Sequence, residues 1–563
     1  MKPSTRLSHR IIPVLVVLLA SVAACAQPTP TPTPKPAPTK AQATAAPPTA
    51  APPTVAPATT APKPTAVPPT TVPAAPTGEV VVLLQGEPAT LDWIMHADLN
   101  AHNVDRQIFD TLLRRDRKTL ELKPHLAESY RLVNDTTWEF KLRKDVKFHN
   151  GEPFNAAAVK FSVERIVNPD TKAPGRANVK LIDHVDIIDD YTVNIVTSAP
   201  FPLLPVRMVS AESGCVAMMP PKYFAEKGAD YFATHPVGTG PFKLVEWKKD
   251  EYIKLEANTE YFGGMPAFKT LTFKPVPEPA TRVSALLAGQ ADIVAGITPE
   301  DVDKIEKSGV ARVKESPMGN WVINIMVTNY KMDGPWQDKR VRQAMNYAVD
   351  MQTIVKTILQ GRATVVGYSL EPQAFGFNPN IKWYPYDPEK AKKLLSEAGY
   401  PNGFSMVLHC PNRRYPNDIE IANAVAQYWG KVGIKTEVKV WEQSVYTTKW
   451  RNKELLPAFI VAWGGSGLLD GDLLTNAYHT DASLSIFSNK QLDDLLNQAI
   501  ATNDQAKRKE LYFKAQELIY DEAPSVQSWQ PATLFGVSNK FDWEPWIGST
   551  IFLVQEDYKA AKK

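Results

Sequence analysis

Trp138, Phe140 and Leu142 alternate with Glu139, Lys141 and Arg143. That period of two puts the apolar side chains on one face, as a half-buried strand requires. Val146 and Phe148 resume the same parity after Lys144 and Asp145. Asn150 and Gly151 then turn the chain, because this pair tolerates positive φ. Asn155 stands where an N-cap belongs, before Ala156. Val159, Val163 and Ile166 follow at helical spacing, with Lys160, Glu164 and Arg165 on other faces. The stretch reads strand, turn, helix.

The switch between the two periods recurs along the chain. Glu79 to Leu84 (EVVVLL) reads as a buried strand, and Val104, Ile108 and Leu112 sit at helical spacing. Phe242 to Trp247 and Tyr252 to Ala257 read as strands, followed by a helix from Arg282 to Ala288 closed by Gly289. Asp338 caps a helix whose apolar face is Val341, Ala344, Met345, Ala348, Val355, Ile358 and Leu359, with Gly361 at its end. Asp387 and Pro388 open another, with Pro at the first helical position, and Gly399 ends it. Ile434, Thr436, Val438 and Val440 form an amphipathic strand. Ser488 with Gln491 suggests a capping box for a helix through Ile500. Leu511, Ala515, Leu518 and Ile519 form a last helix, stopped before Pro524. Alternation of this kind argues an α/β protein.

The first residues follow different rules. Lys2, Arg6 and Arg10 precede the apolar run Ile11 to Ala20, the layout of a signal peptide. That run is too short for an ordinary membrane span. Residues 26–77 are nearly all Pro, Thr and Ala and contain no acidic residue. Such a segment cannot bury enough apolar surface to fold and reads as an extended tether. At roughly 3 Å per residue its upper reach is on the order of 150 Å. The whole chain has 563 residues and a net charge of only +3, without the basic excess of a nucleic-acid binder.

Particular residues say more than periodicity. The run Trp138, Phe140, Leu142, Arg143, Val146, Phe148, Gly151, Pro153, with Val159, Ser162 and Arg165 on the helix, resembles a signature of the dipeptide/oligopeptide/nickel-type solute-binding proteins of ABC importers (family 5). Asn155 stands where that family more often has Thr or Ser, which keeps the capping chemistry. Leu91-Asp92 after the first strand, Pro124 to Tyr130, the Gly238-Thr239-Gly240-Pro241-Phe242 run, Ala291-Asp292-Ile293 and Arg340 to Ala344 with Ala348-Val349-Asp350 resemble further family motifs in the same order. Val22-Ala23-Ala24-Cys25 resembles a bacterial lipobox, which implies lipidation of Cys25.

The resemblance implies a two-lobed periplasmic-binding-protein-like α/β fold with a hinge and an extra subdomain on the first lobe. The expected division is a signal peptide over 1–24 and a lipidated cysteine with tether over 25–78. Lobe I is discontinuous, 79–112, 230–318 and 525–563, with the extra subdomain at 113–229. Lobe II covers 319–524, so the chain crosses the hinge near 315–321 and 524–530. The implied function is capture of a small solute, a short peptide or peptide-like compound, and its delivery to the permease subunits of an ABC transporter. An oligosaccharide ligand on the same fold is the alternative, and a secreted glycosidase the rival from another class. The expected protein is an exported monomer, lipid-anchored to the outer face of the cytoplasmic membrane, with no cofactor and no nucleic-acid partner.

Ligand pockets use aromatic walls with a few placed polar groups. Trp463 and Trp321 are candidate walls. Ala462 to Ser466 lies where the family has a "W-x-x-D" motif whose Asp pairs with a peptide's α-amino group. Here Ser466 takes that place, and Asp470 and Asp472 either substitute for it or cap a loop. Arg414 and Tyr415 lie in a run resembling "G-R-Y-P-N-D". Arg414 either holds a ligand carboxylate with two parallel hydrogen bonds or is a solvated loop arginine. His96 either faces the cleft or is solvated. Cys215 and Cys410 are either free thiols or a disulfide.

Catalysis has little support. The nine histidines show no H-E-x-x-H spacing and no Cys/His metal cluster. Gly464 to Leu468 fails the G-x-S-x-G elbow at its last position. The acid pairs Asp493-Asp494 and Asp521-Glu522 read as solvated helix faces.

Overall fold

The computed structural model describes residues 77–560 apart from 117–118, 210–215, 317–318, 320, 465–468, 547–549 and 554–557. Cys25, the signal peptide, the tether, Cys215 and Ser466 lie outside the described residues.

Two sheets carry the two lobes. The first has seven strands in the order Ala311–Glu315, Leu534–Ser538, Ile293–Ala295, Glu79–Leu84, Thr270–Pro275, Tyr252–Ala257 and Phe242–Lys248. The EVVVLL strand is near its middle and runs parallel to both neighbours. Flanked on both sides, it reads as a continuous apolar run rather than an alternating one. The second sheet has six strands in the order Ala363–Val366, Ser525–Pro531, Val322–Val327, Ala458–Trp463, Phe404–Pro411 and Ile434–Trp441. Helices pack on it through a core that includes Val341, Met345, Ile354, Trp429 and Trp529.

The stretch from Trp138 folds as its pattern dictates. Thr137–Leu142 joins Ala127–Asn134, Thr192–Thr197 and Ile182–Asp189 in a four-stranded antiparallel sheet. Trp138, Phe140 and Leu142 are buried. The helix Ala156–Val167 lays Val159, Val163 and Ile166 into the same core as Val185, Val193 and Ile195. The Asn155 side chain accepts from the Ala157 and Ala158 N–H groups at 3.1 and 3.3 Å, satisfying two orphan donors. Arg165, from this helix, binds both carboxylate oxygens of Asp92 at 2.5 and 2.8 Å.

The Gly238-Thr239-Gly240 run is a packing clasp. A Cβ at Gly238 would lie 2.0 Å from the Ile108 carbonyl oxygen, and one at Gly240 would lie 2.6 Å from the Ile108 carbonyl carbon. Only glycine permits that approach. Thr239 between them donates to Asp110 at 2.8 Å.

Several expectations need correction. The chain returns from the second sheet to the first at Ala532 and Thr533, later than the expected 524–530, because Ser525–Pro531 pairs with Val322–Val327 inside the second sheet. The two crossings touch: the Ser316 N–H donates to the Thr533 carbonyl at 2.8 Å. The helix expected from Asp338 to Gly361 is two helices, Lys339–Tyr347 and Met351–Ile358. Asp350 caps the second by accepting from the Thr353 N–H at 3.0 Å. Asn489, not Ser488, caps the helix Lys490–Ile500. Of the two readings left open for Cys410, the structure gives the free thiol, buried, with its pKa pushed up by that burial. Among the described residues no helix is long and apolar enough to cross a membrane.

Candidate functional site

The second sheet places the candidate residues by strand direction. Phe404–Pro411 and Ala458–Trp463 run parallel, so their carboxyl ends share one edge. Val322 pairs with Trp463, so the start of the antiparallel strand Val322–Val327 lies at that edge too. Trp321 immediately precedes it. The chain arrives there from the first lobe and leaves nearby after Pro531. This edge therefore faces the first lobe, and ligands of α/β sheets bind outside the carboxyl ends of strands. A contact across the cleft confirms the orientation: Asn417 Nδ2 donates to Glu300 of the first lobe at 3.4 Å.

Four expected residues converge here, joined by one that sequence reading missed. The Trp321 ring meets Tyr415 edge-on at 5.9 Å. The Arg414 guanidinium lies over the Tyr415 ring at 5.5 Å and over Trp450 at 5.9 Å. Trp450 meets Trp463 edge-on at 6.1 Å. Trp321 is 38% exposed, whereas Tyr415 and Trp463 are buried. The Tyr415 hydroxyl accepts the Ala462 N–H at 3.0 Å, which ties the loop to the neighbouring strand. Asp418 shapes that loop by accepting from the N–H groups of Arg414, Tyr415 and Ile419 at 2.9, 3.1 and 2.9 Å. Burial nonetheless raises the Asp418 carboxyl above its ordinary range.

Two features of this cluster point to a ligand. The Arg414 head donates to Thr447 Oγ1 at 3.3 Å, but no carboxylate pairs with it among the described residues. The buried indole Nε1 atoms of Trp450 and Trp463 have no hydrogen-bond partner there either. Buried donors ordinarily find acceptors. The site thus presents one cation and two unmatched donors.

The candidate acids behave differently. Asp470 is buried and takes a 2.8 Å ion pair from Arg508, with the Asp472 N–H on the same oxygen at 3.0 Å. Of the two readings the sequence left open, the geometry favours the loop cap, with the charge neutralised by Arg508. Burial pushes the Asp472 carboxyl up, Asp470 adds to the rise, and Arg207 of the subdomain and Arg508 oppose it. His96 is neither in open solvent nor free: its Nε2 lies 2.6 Å from Asp105 Oδ2, in a buried group with His102. The search of the sequence for H-E-x-x-H spacing and Cys/His clusters did not group these three residues. Of the acid pairs expected on solvated faces, Asp494 and Asp521 are exposed and pair with Lys490 and Lys339, whereas Asp493 and Glu522 are largely covered and bound by Thr480 and Arg342.

A cavity of about 790 Å³ lies within the first lobe between Thr90–Met95, the helix bearing Arg165, and Phe224 to Ala233. Its arginine is already held by Asp92 and stacked over Phe224 at 4.3 Å. It offers an anion no unpaired cation, so we place the candidate site at the Arg414 cluster instead.

Comparison with known proteins identifies relatives across most of the chain. The family profile "Bacterial extracellular solute-binding proteins, family 5 Middle" matches residues 121–485. The glutathione-binding protein GsiB of Escherichia coli O1:K1 / APEC is 32% identical over 461 residues, covering 80% of this chain and 88% of that protein. Heme-binding protein A of Haemophilus influenzae is 31% identical over 456 residues, covering 75% and 81%. The periplasmic binding protein DppA from Helicobacter pylori, solved with the peptide STSA, superposes with a TM-score of 0.69 at 26% identity, covering 87% and 99%. The two-lobed fold and these matches show that the chain belongs to family 5 of the bacterial extracellular solute-binding proteins, the binding components of ABC importers.

Proposed function

We propose that this protein captures a short peptide or peptide-like solute between its lobes and recognises it chiefly by a carboxylate. The observation that carries this reading is Arg414, an arginine without an acidic partner among the described residues, set between two aromatic rings at the cleft edge. A guanidinium fork matches a carboxylate with two parallel hydrogen bonds. The unmatched indole donors of Trp450 and Trp463 suit a ligand rich in acceptors. Glutathione, a peptide and heme, the ligands named for the relatives, all carry carboxylates.

The amino end of a peptide finds less here. Asp470 is neutralised by Arg508, and Ser466 stands where peptide binders of the family have an Asp. Recognition therefore rests on the carboxyl end. The ligand is passed on unchanged, and the ABC partner supplies the energy. The Cys25 lipobox and the tether support an exported protein held at the membrane surface by its lipid.

The test is calorimetric titration with a dipeptide, its N-acetyl form and its C-terminal amide, alongside glutathione and heme. N-acetylation should change affinity little. Amidation should weaken it by roughly 1.5–3 kcal/mol, the range for a hydrogen bond to a charged group. The reverse pattern would return the amino group to the centre of recognition.

A further inference from the structure

His96, His102 and Asp105 stand apart from the cleft-edge cluster and have no role in it. His96 ends the short turn Trp93–Met95, while His102 and Asp105 lie on the helix Leu99–Ile108, one turn apart on one face. All three are buried. Their donor atoms lie within 4.8 Å of one another.

The polar atoms in this group are not satisfied by the protein. Neither ring nitrogen of His102 has a hydrogen-bond partner among the described residues, and Asp105 Oδ1 has none. The His102 ring is held against His96 at 4.7 Å and Trp93 at 5.3 Å between centroids. A buried imidazole with two idle nitrogens costs free energy unless something binds it. Asp92 and Asp98 add negative charge around His96, while Arg106 adds positive charge near His102. A neutral imidazole is the form that binds a metal.

We propose that His96, His102 and Asp105 bind one divalent transition-metal ion of the zinc class inside the first lobe. Two imidazole nitrogens and a carboxylate oxygen are a zinc-type donor set, with a fourth position left for water. Bond lengths of about 2 Å place such donors about 3.3 Å apart, so the His102 ring draws in while His96 Nε2 and Asp105 Oδ2 move apart from 2.6 Å. The ion replaces the proton between His96 Nε2 and Asp105. The neutral His96 ring keeps its one proton by moving it to Nδ1, at the cost of the long 3.3 Å contact from the Asp98 N–H. His96 sits on a short turn and is the most exposed of the three, which gives the ion a way in.

The experiment uses purified protein stripped with a chelator and then equilibrated with Zn²⁺. One tightly held equivalent is expected. In His102→Gln its dissociation constant should rise by more than about 100-fold, since outer partners of a metal ligand alone account for about 10–100-fold. Far-UV circular dichroism checks that the variant is folded. Co²⁺ in the unsubstituted protein gives an independent readout, with intense visible bands expected for a four-coordinate site. Unchanged Zn²⁺ affinity in folded His102→Gln, or only the pale bands of octahedral Co²⁺, would overturn the assignment.

Discussion

Arg165 holds the Asp92 carboxylate through two hydrogen bonds, 2.5 and 2.8 Å long, with both side chains buried. The pair joins the subdomain helix to the loop after the first strand, 73 positions away in sequence. Desolvating two charges roughly offsets their attraction, but removing one partner strands the other. Arg165→Met should therefore lose about 3–5 kcal/mol of stability, read from urea unfolding. Loss below about 1 kcal/mol would mean that water reaches Asp92.

His149 sets an acid limit on stability. Its Nε2 donates to the Gly240 carbonyl at 2.9 Å, and its Nδ1 accepts the Gly238 N–H at 3.4 Å. Burial pushes its pKa down from 6.5 to about 4. The folded state holds it neutral while the unfolded chain takes a proton below pH 6.5. Its contribution is therefore present above that pH and falls as pH drops toward 4, by roughly 3 kcal/mol in total. Unfolding of the wild type and His149→Asn at about pH 7 and about pH 4.5 checks this. The variant should lose less on acidification, and equal losses would contradict the assignment.

The cleft-edge wall should be energetic as well as geometric. Trp450→Ala and Trp463→Ala should each weaken ligand binding by roughly 1–3 kcal/mol, the cost of losing an aromatic contact. Arg414→Met should do at least as much by removing the cation. Calorimetry with glutathione or a dipeptide measures all three. Unchanged affinity in Arg414→Met would move the carboxylate elsewhere.

The anchor is tested in cells. Cys25→Ser should release the protein from membranes into the soluble fraction, since stable anchoring needs the acyl chains on that residue. A variant that stays membrane-bound at high salt would contradict lipidation at Cys25.

Local chemistry was legible in the sequence, and long-range partnership was not. The alternation of Trp138, Phe140 and Leu142 and the caps at Asn155, Asp338 and Asp387 all act within a few residues. The second hinge crossing was misplaced because Ser525–Pro531 is buried almost throughout and shows no alternation, and Pro524 looks like a stop. Asp350 was read past because Ala348 and Val355 continue one apolar stripe in the sequence. At the site, Trp321, Arg414, Tyr415 and Trp463 come together because they end or begin adjacent strands. Trp450 was missed because it lies on a helix with no motif of its own. Asp470 was left between two readings because its partner Arg508 comes 38 residues later.

The central claim is capture between moving lobes, and small-angle scattering tests it most directly. The crossings Ser316 to Trp321 and Ala532 to Thr533 are short and adjacent, as a hinge requires. A ligand that binds the closed form better than the open one shifts the population toward closure. For the chain beginning at Gly78, the radius of gyration should fall when a ligand found by calorimetry is added to saturation. A radius that stays unchanged at saturation would contradict capture by lobe closure.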